Sequence, residues 1–230
     1  AFLTLPELRE RLVLDEPFLQ AGGRIHFVGR EPELAKVRSF LSSEQLFLVV
    51  HGAGGIGKTR LLIEAGEQIA ADGEWQVLWA NITSMEAAST WFDAIVTSRS
   101  TLLLVDEPDD EHLLRILAEQ LGGKTGRSAK WKVAIAVRSP KDPVLRFLFG
   151  PKLRTRVEEL QIRPLPSSAA ESMCEELLRS GKLSGHSDEW RKDTAKELAR
   201  RFSQHPIWIT LAIHVLEKYG DLRKIPETAD

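Results

Sequence analysis

Five short apolar runs follow one another between residues 46 and 162, separated by segments of helical periodicity. The runs are LFLVVH (46–51), WQVLWAN (75–81), TLLLVDE (101–107), WKVAIAVR (131–138) and the weaker TRVEELQI (155–162). Almost continuous apolar character is typical of strands covered on both faces, as in a parallel sheet. Helices are predicted at 58–71, 85–97, 110–121 and 142–149. This alternation predicts an α/β fold with a doubly wound, parallel five-stranded sheet.

The pattern changes after RPLP (163–166), and only helical periodicity follows. Helices are predicted over 167–181, 188–202 and 207–218. Ser168 is the expected N-cap of the first of them, because Glu171 follows three residues later as in a capping box. The change predicts three parts, namely an N-terminal extension (1–26), an α/β domain (27–163) and a small all-helical lid domain (164–230).

A glycine-rich segment, GAGGIGKTR, joins the first apolar run to the first predicted helix, with the P-loop spacing of Gly, four residues and then Gly-Lys-Thr. Small residues let backbone N–H groups surround phosphate oxygens, and the helix directs its positive end at the same anion. Lys58 would reach the β- and γ-phosphates, and the Thr59 hydroxyl would bind Mg²⁺. A chance glycine turn is the alternative, but a buried strand before the segment favours a P-loop NTPase domain. The predicted nucleotide-binding residues here are Gly52, Ala53, Gly54, Gly55, Ile56, Gly57, Lys58, Thr59 and Arg60.

The third apolar run ends in LLLVDE, which places two carboxylates at the end of a predicted strand. In P-loop NTPases a carboxylate at this place holds Mg²⁺, directly or through water, and Asp106 is the candidate. Glu107 would polarise a water for attack on the γ-phosphate. Alternatively, the pair caps a helix that starts near residue 110. Because hydrolysis needs both a metal and an ordered water, the nearby P-loop favours the catalytic interpretation.

The fourth apolar run ends in AVRSP and carries Arg138. A charged side chain that emerges from a buried strand needs a partner. If Arg138 faces the γ-phosphate, it finds a partner and also reports whether that phosphate is present. The alternatives are a salt bridge to Asp106 or Glu107 and a solvated strand end. Arg138 is therefore a candidate catalytic residue beside Lys58 and Glu107.

Composition and charge argue against several classes of protein. The net charge of −2 and the pI near 6.4 give no support to binding of nucleic acid or an anionic membrane. Cys174 is the only cysteine, which excludes an internal disulfide and fits a reducing, cytoplasmic setting. No apolar run approaches the roughly 18 residues that a membrane span needs. Because the chain begins with Ala1 rather than methionine, we expect a processed product or an excised domain.

Two further segments, FVGREPEL (27–34) and HPIWITLAIHVL (205–216), add a resemblance to a known class of proteins. Together with the P-loop, LLLVDE and AVRSP, they resemble the STAND signal-transduction ATPases, which include NB-ARC and NACHT proteins. The resemblance covers almost the whole chain. It implies that Val28, Gly29 and Arg30 lie against the adenine of ATP or ADP.

The same resemblance gives roles to two residues further along the chain. It implies that Arg138 is the γ-phosphate sensor, and that Pro206 contacts the nucleotide as the proline of a Gly-x-Pro motif. The motif is half matched, because Gln204 stands where the glycine would fall. No Met-His-Asp motif or winged-helix segment follows in this sequence.

The resemblance implies a slow ATPase that acts as a switch. ATP or ADP, bound with Mg²⁺, would set the position of the lid and so control homo-oligomerisation or an effector, in immunity, cell death, transcription or defence against phage. Its partners would be effector and sensor domains of a longer protein. The alternative is an AAA+ ATPase that handles DNA, such as an origin-binding or transposition helper. Such a protein would be expected to carry a basic DNA-contacting face, and this chain is slightly acidic.

Overall fold

The computed structural model describes residues 2–8, 26–80, 99–108, 114–115, 131–146, 148, 150 and 153–220. The strands of this part are β1 (Phe2–Leu3), β2 (Phe47–His51), β3 (Trp75–Ala80), β4 (Ser100–Asp106), β5 (Trp131–Val137) and β6 (Val157–Gln161). Its longer helices are α1 (Glu31–Ser42), α2 (Lys58–Ala71), α3 (Ser167–Ser180), α4 (Asp188–Arg201) and α5 (Pro206–Tyr219).

The strands form one sheet in the order β1-β3-β4-β5-β2-β6. Strands β2 to β6 are all parallel, and the short β1 pairs with β3 in the antiparallel direction. The predicted five-stranded parallel sheet is therefore confirmed, with helices flanking it and further helices after it. The edge strand β6 (VEELQ) is only partly buried, which explains its weaker apolar pattern.

The centre of the sheet is a fully buried apolar core. Phe47 to Val50, Leu102 to Val105 and Val133 to Ala136 are all fully buried. Helix α2 packs across β3, β4 and β5. A Cβ added at Gly66 in this helix would lie 2.9 Å from Cδ1 of Leu104, so the glycine allows the close approach.

The helix predicted over 142–149 is wrong, because the structure has a 3₁₀ turn at Pro143–Leu145. The carboxylate of Asp142 caps this turn by accepting the N–H of Val144 at 3.1 Å, and the turn ends at Arg146. The predicted helix 85–97 lies outside the described residues, as does 110–121 apart from residues 114–115, which are helical.

Helix α3 begins differently from the prediction. Its N-cap is Pro166, and Ser168 lies inside the first turn with no side-chain cap hydrogen bond. The chain enters the helix through the proline, whose fixed φ already suits a helix start. Ser187, by contrast, caps α4 through its side chain, which accepts the N–H of Trp190 at 3.2 Å.

The chain divides into two compact units. One consists of Ala1–Arg11, Pro32–Ala53 and Lys58–Ile162, and the other of Leu12–Glu31, Gly54–Gly57 and Arg163–Asp230. The first unit contains the sheet. The second contains α3 to α5 together with Gly54–Gly57, which we call the loop tip.

The second unit has its own apolar core. Ala170, Cys174, Leu178, Leu198 and Ile209 are all fully buried within it. Burial raises the pKa of the Cys174 thiol to about 12. The cysteine is therefore protonated at neutral pH and packs as a small apolar residue.

Candidate nucleotide-binding site

The glycine segment links β2 to α2 through a loop that requires glycine. Strand β2 ends at His51 and α2 begins at Lys58. Gly55 has a φ of 71° and Gly57 a φ of 101°, in the left-handed region that other residues rarely adopt. No described atom lies within 4 Å of a Cβ built at Gly57. That glycine therefore serves the backbone conformation and not close packing.

Lys58 is buried at the start of α2, with 4% of its surface exposed. Its Nζ donates to the carbonyl oxygens of Gly52 and Ala53, both at 3.1 Å. A carboxylate oxygen of Glu107 lies 3.8 Å from the same nitrogen. Burial lowers the pKa of Lys58, while the charges of Glu107 and Asp106 oppose that shift. The ammonium group therefore lies against the glycine loop. There it could neutralise the charge of an anion that the loop binds.

Thr59 and Asp106 form the part of the site that fits a metal ion. The Thr59 hydroxyl donates to Oδ2 of Asp106 at 2.8 Å. The second carboxylate oxygen, Oδ1, is buried and has no hydrogen-bond partner among the described residues. Burial raises the pKa of Asp106, and the hydrogen bond from Thr59 opposes this. A buried carboxylate oxygen with a spare lone pair, next to a hydroxyl, matches the oxygen ligands that Mg²⁺ prefers.

Glu107 follows β4 directly and has an unusual backbone conformation. Its φ is 38°, in the left-handed region, which costs a non-glycine residue roughly 1–2 kcal/mol. Its N–H still bonds to the carbonyl of Ala136 on β5 at 2.9 Å. The side chain is 46% exposed.

Arg138 pairs with Glu107 in this structure. Its Nε lies 3.4 Å from Oε1 of Glu107, and its Nη2 lies 3.5 Å from Oε2. Arg138 is 73% exposed, so the pair is long and solvated, and such pairs contribute little to stability. Of the three alternatives that the sequence left open, the observed contact is the salt bridge to Glu107. The pair is weak enough for either partner to leave it.

The strand order is what brings these side chains together. β5 lies between β4 and β2, and Asp106 pairs with Ala136 while His51 pairs with Val137. Because all three strands are parallel, the residues that follow them emerge at the same edge of the sheet. Lys58, Thr59, Asp106, Glu107 and Arg138 therefore form one cluster.

The residues predicted to contact adenine lie in the second unit. Arg30 is 4% exposed, and its Nη2 donates to the carbonyl of Ile56 at 3.2 Å. Gly29 has a φ of 70°, and a Cβ built there would lie 2.3 Å from that of Ala169. Val28 packs against the helical core.

The start of α5 contains Pro206 and a residue that the sequence reasoning missed. Pro206 occupies the first turn of the helix. Its neighbour Ile207 packs against Gly55, where an added Cβ would lie 2.4 Å from Cγ2 of the isoleucine. Nothing in the local sequence pattern marks Ile207, because the contact joins segments far apart in the chain. Arg60, also predicted at the site, is half-buried in the first turn of α2.

Gln204 has a left-handed backbone conformation that glycine adopts more readily than other residues. Its φ is 56°, and that of Ser203 is 49°. Its N–H bonds to the carbonyl of Ala199 at 2.9 Å, and its carbonyl accepts the N–H of Leu165 at 3.1 Å. These two hydrogen bonds stabilise a left-handed backbone conformation that glycine adopts without a steric penalty.

The sequence profile of a protein family described as the AAA ATPase domain matches residues 26–205. The chain therefore belongs to this family of AAA+ P-loop ATPases, and it is a nucleotide-binding module. The match takes in the VGRE segment, the P-loop, the acidic pair and Arg138.

Solved structures with the same fold come from proteins of varied function. A chain of the E. coli MS115-1 HORMA:CdnC:Trip13 complex matches with a TM-score of 0.59 and 15% identity, over 94% of this chain and 95% of that one. A STAND protein with a tetratricopeptide repeat sensor from Pyrococcus horikoshii matches with a TM-score of 0.52 and 17% identity, over 90% of this chain and 31% of that one. The ORC2 protein of Aeropyrum pernix matches with a TM-score of 0.54 and 14% identity, over 87% of this chain and 68% of that one. At these identities the likeness establishes the fold.

Curated relatives match over a shorter stretch. Uncharacterized proteins of Mycobacterium tuberculosis and Mycobacterium bovis are 39% identical over 66 residues, which is 27% of this chain. That stretch is 16% of the length of those relatives. In the described part of this chain, no helix combines the length and apolar character of a membrane span.

Proposed function

We propose that this chain is the nucleotide switch of a larger STAND-type protein, which binds ATP or ADP with Mg²⁺ and hydrolyses ATP slowly. One observation carries the proposal. The hydroxyl of Thr59 and the unpartnered oxygen of Asp106 stand together at the end of a P-loop whose lysine is buried beside them. Membership of the AAA ATPase domain family supports it. The STAND protein among the structural relatives is consistent with the finer assignment.

Each residue of the cluster has a chemical task in this proposal. The backbone N–H groups of the loop and the positive end of α2 bind the phosphates. Lys58 exchanges its bonds to the loop carbonyls for phosphate oxygens. Thr59 and Asp106 would hold Mg²⁺, which would supply positive charge against the phosphates when bound. Glu107 accepts a proton from the attacking water once its carboxylate is released from Arg138.

The division into an α/β domain (27–163) and a helical lid (164–230) is part of the same proposal. It is supported by the change of compact unit between Ile162 and Arg163. The loop tip belongs to the unit of α3 to α5, through the contact between Gly55 and Ile207. A nucleotide that alters the loop tip would therefore act directly on α5.

We expect the purified chain to be a monomer that carries ADP and turns over ATP slowly. The slow turnover is expected because Ile207 packs directly on the loop tip, so a movement of the loop tip on nucleotide release would disturb the packing of α5. Size-exclusion chromatography, followed by denaturation and analysis of the released nucleotide, measures both properties. A stable hexamer with fast turnover would contradict the switch and favour an AAA+ motor.

The DNA-handling alternative is favoured by one observation, the structural likeness to the ORC2 protein of Aeropyrum pernix. It can be tested on the same preparation by titrating duplex DNA at two salt concentrations. DNA affinity that falls steeply with salt would support this alternative. With a net charge of −2, we expect no such binding.

Arg138→Ala is expected to weaken ATP binding about tenfold and ADP binding much less. The proposed partner of the guanidinium is the γ-phosphate, which only ATP has, and one charge-assisted hydrogen bond is worth about that factor. Calorimetric titrations with ATP and ADP measure the two affinities, and Arg146→Ala provides an exposed arginine as the matched control. If both nucleotides lose affinity equally, Arg138 has only its salt bridge to Glu107.

A further inference from the structure

Arg30 is a buried charged residue to which the cluster of Lys58 and Asp106 gives no task. Its guanidinium donates from Nη2 to the carbonyl oxygen of Ile56 at 3.2 Å, and 4% of the residue is exposed. Ile56 is itself 1% exposed, and only Gly57 separates it from Lys58. A buried guanidinium is stable only when it is hydrogen-bonded, so this contact is part of what holds Arg30 in place.

The backbone next to Arg30 is fixed by its own contacts. Gly29 has a φ of 70° and lies so close to Ala169 that an added Cβ would approach that of the alanine to 2.3 Å. The N–H of Gly29 bonds to Oε1 of Glu31 at 3.2 Å. The starting point of the Arg30 side chain is therefore set by the first turn of α3. The Arg30 side chain is therefore held at both ends, at its backbone by the contacts of Gly29 and at its guanidinium by the carbonyl of Ile56. We call this connection between α3 and the loop a tie.

The loop tip needs such a tie, because two of its residues, Gly55 and Gly57, have positive φ and little conformational preference of their own. Ile207 restrains Gly55 by direct packing. Arg30 restrains Ile56, which lies between the two glycines. Without that bond, the loop would sample conformations in which its N–H groups no longer converge on an anion, and ordering it would oppose binding.

We propose that Arg30 is a positioning residue, which holds the P-loop in its phosphate-binding shape through the carbonyl of Ile56 and does not read the adenine base. This inference rests on the proposed function, since it concerns the same phosphate site. It differs from the adenine contact that the sequence resemblance implies for Arg30. The two roles predict different ligand dependence. A contact with the base affects nucleotides and leaves tripolyphosphate unaffected, whereas a restraint on the loop affects every ligand with a triphosphate.

The test compares Arg30→Ala and Arg30→Lys with the parent, and uses Arg38→Ala as the matched control. Arg38 is an exposed arginine of α1 that pairs with Asp72 at 2.9 Å. Dissociation constants are measured for Mg-ATP, Mg-GTP and inorganic tripolyphosphate. We expect Arg30→Ala to weaken all three about tenfold and to leave the ratio of ATP to GTP affinity unchanged. Arg30→Lys restores part of the loss, because an ammonium can still donate to the carbonyl.

Hydrogen exchange of the nucleotide-free protein gives a second readout. In Arg30→Ala, the amides of residues 54–59 should exchange faster, while those of β4 and β5 should be unchanged. Loss of affinity for ATP, or for both ATP and GTP, with no loss for tripolyphosphate would overturn the proposal in favour of a contact with the base. Unchanged exchange of the loop amides would also overturn it. If Arg30→Ala fails to fold, the same comparison is made with Arg30→Lys. If the parent protein binds none of the three ligands, the proposed function fails, while the exchange experiment still decides whether Arg30 ties the loop.

Discussion

Lys58→Ala is expected to weaken Mg-ATP binding about ten- to a hundred-fold in a chain that still folds. The ammonium is the buried positive charge of the P-loop, and a hydrogen bond to a charged group is worth roughly 1.5–3 kcal/mol. The fold should survive, because the two carbonyls that Lys58 contacts belong to Gly52, which is half-buried, and Ala53, which is exposed. Water can therefore replace the lost donor.

Isothermal calorimetry measures this loss directly, and circular dichroism confirms that the variant is folded. Lys141→Ala is a suitable control, because Lys141 is an exposed lysine in the turn that follows Arg138. ATP affinity that stays at the parent value in a folded Lys58→Ala protein would remove the P-loop assignment.

Glu107→Gln should bind Mg-ATP almost as the parent does and hydrolyse it roughly 10²–10⁴-fold more slowly. The amide cannot accept the proton of the attacking water, and general bases contribute about that factor. Binding should be retained, because the change is isosteric. The ion pair lost with Arg138 is exposed and contributes little to stability.

Single-turnover hydrolysis with excess enzyme separates the chemical step from product release. Glu159→Gln serves as a control, because the Glu159 carboxylate is 49% exposed, against 46% for Glu107. Hydrolysis at the parent rate in Glu107→Gln would mean that another group takes the proton.

The candidate site could be predicted in part because its residues stand next to strong local signals. The P-loop motif lies between an apolar run and a helix, and the predicted helix 58–71 has the bounds of α2. Asp106, Glu107 and Arg138 directly follow or end apolar runs, so their place at strand ends could be inferred. Whether they face one another depends on strand order, which an apolar run does not encode. The order β4-β5-β2 supplies that adjacency.

Two predicted elements differ from the structure over a few residues. A periodic pattern predicted helix over 142–149, but the structure has a short 3₁₀ turn at Pro143–Leu145 that Asp142 caps. Serine is a residue type that often caps helices, but Ser168 is not the cap here, because Pro166 is the N-cap and the helix begins at Ser167. The spacing of apolar positions does not fix the backbone over so few residues, so it does not distinguish a 3₁₀ turn from a helix or locate a helix start.

Helices, buried parallel strands and the phosphate loop could be predicted from the amino-acid sequence, because periodicity and glycine spacing are local properties. The distant residues that restrain that loop become apparent in the folded chain. The bond from Arg30 to Ile56 and the packing of Ile207 on Gly55 join segments that are separated along the chain. Nor does the sequence pattern give Gln204 the left-handed backbone of a glycine, which is held there by bonds to Ala199 and Leu165. Such contacts form when the chain folds, and they cannot be inferred from the pattern of neighbouring residues.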